Sequence, residues 1–229
     1  MSFESVMPPY NASDPSANFL SASCLDFLLI EIVPLAYRVT NQLEFAALED
    51  AAAASNSANP SAVAAAGATT TVATTSAAGG TAAGSRRAMD EEEEREAVFY
   101  RLDTIGYRVG QGLVERFSRD RPRFNDTLDV IKFLCKDLWT LVFRKQVDNL
   151  KTNHRGVYVL TDNNFRPFAR MSAEAGGQAV VRAQPFLWFP CGIVRGALAA
   201  MGINATVQAE SSELPAAVFQ IKTISTNKS

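Results

Sequence analysis

One histidine, His154, sits in the polar run Asn153-His154-Arg155-Gly156. An imidazole acts as a base only when a partner orients it toward a substrate. The chain contains no G-x-S-x-G, G-x-x-x-x-G-K-[ST] or H-E-x-x-H motif to supply that setting, so His154 is expected to be solvated or to cap a loop. Paired carboxylates do not stand near any predicted cleft. Cys24, Cys135 and Cys191 are odd in number, widely spaced and without a C-x-x-C pair, which argues against both a disulfide framework and a zinc site. They are expected to be reduced, behaving as small hydrophobes on apolar segments. Gly106, Gly110 and Gly112 follow no strand and make no dinucleotide fingerprint. The residues therefore point to no catalytic, cofactor or metal site. One basic cluster is left, Arg116, Arg119, Arg121 and Arg123 with Phe117 and Phe124. Basic residues interleaved with aromatics can bind phosphate or nucleic acid. Glu115 and Asp120 interrupt the cluster, so a solvated helix end or partner contact ranks first. A lipid- or phosphate-binding membrane surface ranks second and nucleic acid last.

The elements that would position such residues follow from hydrophobic period. The 229 residues, 47% hydrophobic, suffice for one domain with a sizeable core. A formal net charge of -2 gives no global reason to seek nucleic acid or anionic membrane. No basic-then-apolar start marks a secretory signal. The apolar stretches 24–39 and 186–201 are interrupted by charge or proline, and read as buried helices rather than membrane spans. Residues 1–18, rich in Ser, Asn and Pro, are expected to be disordered, as are 225–229. Apolar residues at Leu25, Leu28, Leu29, Ile32, Leu35, Ala36 and Val39 predict a first helix over 23–48, kinked at Pro34. Residues 51–90 are almost wholly Ala, Thr, Ser and Gly, and are expected to form a disordered insert. The acidic run from Asp90 to Glu96 faces the positive end of a second helix over 92–118.

On that helix Val98, Leu102, Ile105, Val109, Leu113 and Phe117 make a stripe. Each glycine inside it costs about 1 kcal/mol relative to alanine. Three glycines demand a reason, and close approach by another helix, internal or a partner's, is the simplest. Asn125 or Asp126 can cap a third helix over 127–144, apolar on more than one face. Residues 157–160 and 165–171 read as a hairpin turning at 161–164. A fourth helix spans 186–201, capped by Gly202. Two strands follow, with Ile203, Ala205, Val207 and Ala209 on one face, then Phe219, Ile221 and Thr223. The order α-α-α-β-β-α-β-β predicts an α+β fold, helices packed on a small antiparallel sheet.

Several segments in a fixed order resemble a known family. Ile105-Gly106-Tyr107-Arg108-Val109-Gly110-Gln111 with Leu113-Val114-Glu115-Arg116 is similar to the second-helix motif of the small TRAPP subunits. Asp120-Arg121-Pro122-Arg123-Phe124, Asp129-Val130-Ile131-Lys132-Phe133, Cys135-Lys136-Asp137 and Asn153-His154-Arg155-Gly156-Val157-Tyr158-Val159-Leu160 extend the likeness, as do Cys191-Gly192 and Arg195-Gly196. Together they resemble the subunit-six branch of the BET-three-like family, called subunit thirty-three in yeast, over 19–48 and 95–224. The resemblance implies a domain over 19–224 with helices on a four-stranded antiparallel sheet. It implies a non-catalytic scaffold in a vesicle-tethering complex whose Rab exchange activity lies in other subunits. The implied setting is cytoplasmic, peripheral at ER–Golgi and Golgi membranes. The implied partners are a BET-three-type subunit, other TRAPP subunits and, indirectly, a Rab GTPase and a Golgi or vesicle membrane, with no nucleic acid. Pairing through the first two helices makes Leu28, Ile32, Leu35, Ile105, Gly106, Val109, Gly112 and Leu113 the expected contact residues. The BET-three subunit carries an acylated cysteine shortly after its second helix. Here that position lies near Phe124 with no cysteine nearby, so the resemblance does not extend to acylation.

Overall fold

The computed structural model describes residues 21–57, 90–119, 121–153, 155–169, 171 and 177–224. The expected tails 1–18 and 225–229, the insert between 58 and 89, and His154 lie outside these residues. Helix α1 spans Ala22–Ser57 and α2 spans Glu91–Phe117. The first helix therefore continues past the expected end at Leu48, into the Ala-rich stretch assigned above to disorder. Alanine is the strongest helix former, and an existing helix extends at far lower cost than a new one nucleates. Helix α3 (Thr127–Phe133) is capped by Asp126, whose side chain accepts from the Asp129 amide at 2.7 Å. It runs through a π-helical segment, Leu134–Leu138, into α4 (Trp139–Phe143). Arg144, in the left-handed region at φ 64°, ends it.

The strands are β1 (Asn149–Thr152), β2 (Val157–Asp162), β3 (Ala205–Glu210) and β4 (Ala217–Thr223). They form one antiparallel sheet in the order β1-β2-β4-β3. The first hairpin differs from expectation. β2 pairs back onto β1, Leu150 opposite Leu160, and not onto residues 165–171. The hairpin turn has Gly156 at φ +81°, where a Cβ would strike the Thr223 hydroxyl. The Asn153 carboxamide oxygen closes it by accepting from the amides of Arg155 and Val157. Residues 165–171 instead carry a 3-10 turn at Arg166–Phe168. Pro167 has no amide to donate to a ladder, and Phe165 and Phe168, three apart, both point into the core.

Helix α5 (Gly177–Ala183) leads through a second 3-10 turn into α6 (Trp188–Ala200), which is buried along most of its length between α2 and the sheet. Trp139, Phe143, Phe165, Phe168 and Phe219 form the aromatic centre, with Trp139 and Phe219 rings 5.1 Å apart. Asp162 is fully buried there and accepts from the Trp139 indole at 2.9 Å and the Lys145 ammonium at 2.6 Å. The architecture is α+β, as expected.

Glycine sets the α2–α6 distance. A Cβ on Gly106 would lie 2.2 Å from the Phe189 carbonyl, and one on Gly110 2.1 Å from that of Ile193. In return, Cβ atoms on Gly192 and Gly196 would lie 2.2 and 2.0 Å from the Asp103 and Tyr107 carbonyls. The close approach anticipated for two of the three glycines is thus internal, made by α6. Gly110→Ala should lose about 2 kcal/mol or more from overpacking, outweighing its better helix propensity of roughly 1 kcal/mol. Urea denaturation checks this, and an unchanged or raised midpoint would show that the two backbones are not in contact.

Candidate partner-binding surface

Helix α1 divides by period. Leu29, Val33, Ala36 and Thr40 are buried at steps of three and four. The Arg101 guanidinium donates to the Thr40 hydroxyl at 3.0 Å, joining α2 to α1. Arg166 donates twice to Asp26, at 2.8 and 3.1 Å, tying the start of α1 to the 3-10 turn. The neighbouring face is apolar but uncovered. Leu28 is 56% exposed and Leu35 46%, while Ile32 and Val39 are half-buried.

Helix α2 divides the same way. Val98, Leu102, Gly106, Gly110 and Val114 are buried. Ile105 and Val109 are 45% and 39% exposed, and Leu113 is half-buried against the core. The single stripe read from sequence is therefore two faces. Its expected members Ile105, Val109 and Phe117 emerge, while Val98 and Leu102 turn inward.

The uncovered faces of α1 and α2 meet in a groove of about 490 Å³ lined mainly by Ile32, Leu35, Val39, Tyr100 and Ile105, with Thr104 and the Arg101 stem. Of the eight expected contact residues, Ile32, Leu35 and Ile105 line this groove, and Leu28, Val109 and Gly112 are exposed on the same two helices. Leu113 is half-buried and packs against the core. Gly106 is corrected: α6 covers it, because its missing Cβ is what admits the Phe189 carbonyl. Sequence reasoning missed Tyr100, 70% exposed, and Val39 as part of the lining. Tyr100 stands off the apolar stripe; only the position of α1 brings it into the groove.

The basic cluster does not act as a unit. Arg121 forms an ion pair with Asp137, and its guanidinium stacks over the Phe133 ring at 5.4 Å. Phe124 packs on the same ring at 5.3 Å. Arg116, Arg119 and Arg123 are exposed. Among the described residues no group of His, Cys, Asp and Glu could hold a metal ion, and no helix is long and apolar enough to cross a membrane.

Two of the three cysteines are buried as expected, but Cys24 is exposed on α1. Burial pushes the Cys135 thiol up to about 12 and raises Cys191 as well, with a smaller contribution from Asp103. At neutral pH an aromatic disulfide reagent should label Cys24 rapidly, and Cys135 and Cys191 only after denaturation. Rapid labelling of all three in the native chain would contradict the packing.

Exposure also predicts an asymmetry between the two faces of α1. Leu35→Glu should change the stability of the isolated chain by about 0.5 kcal/mol or less. Leu29→Glu buries a carboxylate without a partner and should prevent folding or cost more than about 3 kcal/mol. Thermal unfolding of the two variants checks this; equal losses would mean that Leu35 is also core.

The chain is similar to proteins of one family. The family model described as transport protein particle (TRAPP) component matches residues 25–224. The Danio rerio trafficking protein particle complex subunit 6b is 56% identical over 121 residues, covering 53% of this chain and 76% of that protein. The human subunit 6B is 54% identical, over 53% of this chain and 75% of its own length. Among solved structures, a trafficking protein particle complex subunit 3 from Naegleria fowleri, covalently bound to palmitic acid, is distantly similar. Its TM-score is 0.48 and its identity 14%, over 57% of this chain and 82% of that one. The match across nearly the whole described fold settles the family: the chain belongs to the transport protein particle (TRAPP) components and is of the subunit-6 type.

Proposed function

We propose that this protein is a non-catalytic assembly subunit of a TRAPP vesicle-tethering complex, and that α1 and α2 together dock a BET-three-type subunit. The observation that carries the reading is the apolar groove between Leu35 and Ile105, uncovered in the single chain. Monomeric proteins rarely leave a contiguous apolar patch of this kind without a use. The groove lies on two adjacent helices fixed to each other through the Thr40–Arg101 hydrogen bond, so a partner meets a formed surface. In this reading the chain works peripherally at ER–Golgi and Golgi membranes, and Rab nucleotide exchange belongs to other subunits of the assembly. The basic cluster is a weaker basis for a membrane adaptor, since Arg121 is held by Asp137 and Phe133.

Co-expression with the BET-three-type subunit of the same organism should give a heterodimer on size exclusion with multi-angle light scattering. The double variant Leu35→Glu/Ile105→Glu should remain folded, by circular dichroism, yet elute alone. A heterodimer that forms equally well with this variant would remove the groove as the docking site. Independent monomers of the wild-type proteins would remove the proposed function.

A further inference from the structure

The two edges of the sheet differ. β1, at one side, is four residues long and carries the exposed Lys151. A short strand with a lysine on it resists pairing with another chain. β3, at the other side, pairs with β4 through six consecutive residues, Ala205 to Glu210, without a bulge. It contains neither proline nor lysine. Among the described residues no strand pairs with its outer side. Native proteins seldom leave a regular edge of this kind unguarded.

The register shows which backbone groups face outward. The Ile224 amide donates to the Asn204 carbonyl, just before Ala205 and Thr223 pair. Hydrogen-bonded pairs alternate along an antiparallel ladder, so Thr206, Gln208 and Glu210 also bond to β4. The amides and carbonyls of Ala205, Val207 and Ala209 then point off the sheet. One of these is already in use: the Gln184 carboxamide donates to the Ala209 carbonyl at 3.1 Å. A cleft of about 530 Å³ is lined by β3 from Val207 to Glu210 and by the Phe99 and Trp188 rings, which meet edge to face at 5.7 Å. Phe99 is 40% exposed. Gln184, Gln208 and Gln220 add amide groups to the lining. Glu210, at the end of β3, is exposed and forms no ion pair among the described residues.

We infer that the β3 edge and this cleft bind an extended segment of a partner protein, which joins the sheet as a fifth strand. Backbone donors and acceptors repeated at every second residue are complementary to the backbone of another strand, and a helix has no such groups to offer along its side. In antiparallel addition the residues opposite Val207 and Ala209 share their face, so an apolar side chain there meets Phe99 and Trp188. A basic residue opposite Glu210 completes the match. A second copy of this chain fits less well: its own β3 would bring only Ala205, Val207 and Ala209 to the aromatic rings, and no cation to Glu210. The edge is separate from the groove between Leu35 and Ile105, so the inference does not depend on the docking role proposed for α1 and α2.

The test titrates the full-length chain with the capped peptide Lys-Val-Thr-Phe-Thr-Val, which sets its Lys opposite Glu210 and its Phe opposite Val207. In the free chain, amide exchange followed by NMR should alternate along β3, slow at Thr206 and Gln208 and fast at Val207 and Ala209. The peptide should bind saturably and slow exchange at Val207 and Ala209. Methylating the peptide nitrogens of the first Val and of Phe removes the strand donors and keeps the side chains; this should raise Kd by roughly tenfold or more. Ala209→Pro removes an edge donor and leaves the β4 ladder intact, so it should keep the wild-type circular dichroism and weaken binding by a similar factor. If that variant fails to fold, the methylated peptide still decides. No binding, or equal binding of the methylated peptide, would overturn the inference. So would slow exchange at Val207 and Ala209 in the free chain that becomes fast on deleting residues 58–89, which would assign the edge to the chain's own insert. A homodimer abolished by Ala209→Pro would assign it to a second copy and overturn the inference as well.

Discussion

The contact between α2 and α6 holds the other elements in place. Gly106 and Gly110 on one helix and Gly192 and Gly196 on the other are each four residues apart. They let main-chain atoms fill the space that Cβ atoms would occupy, so the helices touch backbone to backbone. Arg195 closes the side of this contact: it is paired with Asp103 and stacked over the Tyr107 ring at 4.4 Å. Breaking such a pair is costlier than making it is favourable, which fixes register more than it adds stability. With α6 locked to α2, the sheet is located through the packing of α6 on β3, and α1 through its buried face on α2.

That arrangement leaves α2 with two apolar faces and one internal helix layer to satisfy them. The face bearing Leu102, Gly106 and Gly110 is covered by α6. The face bearing Ile105 and Val109 is only partly sheltered by α1. The two faces differ in side-chain size for a physical reason. The internal one has glycine at the two positions, Gly106 and Gly110, where it meets the backbone of α6. The outer one keeps ordinary apolar side chains, with one small residue at Gly112.

Much of this was legible in the sequence. Helical spacing located α2 and α6, alternation placed Ala205, Val207 and Ala209 on the inward face, and Asp126 was a visible cap. Apolar spacing alone could not separate core from surface on α2, because both faces repeat at steps of three and four. The signal lay in the paired spacing of Gly106–Gly110 and Gly192–Gly196, which ties one helix to another far along the chain. β1 was missed because Asn149-Leu150-Lys151-Thr152 is a short edge strand with one apolar residue, and edges need only one covered face. The strand expected over 165–171 was a 3-10 turn, because the spacing of Phe165 and Phe168 and the missing donor of Pro167 outweigh β propensity.

The attachment of α1 has a consequence for the fate of the unassembled chain. One buried face, the Thr40–Arg101 hydrogen bond and the Asp26–Arg166 pair hold a long helix whose other side is open. Local opening of such an element takes less free energy than unfolding of the glycine-locked centre. An orphan molecule therefore exposes α1 first, together with its aliphatic surface, to chaperones and proteases. A partner on that same surface raises the opening free energy by mass action. Under the docking proposed above, the cellular amount of this chain would follow the supply of its partner, and surplus copies would be cleared starting from α1.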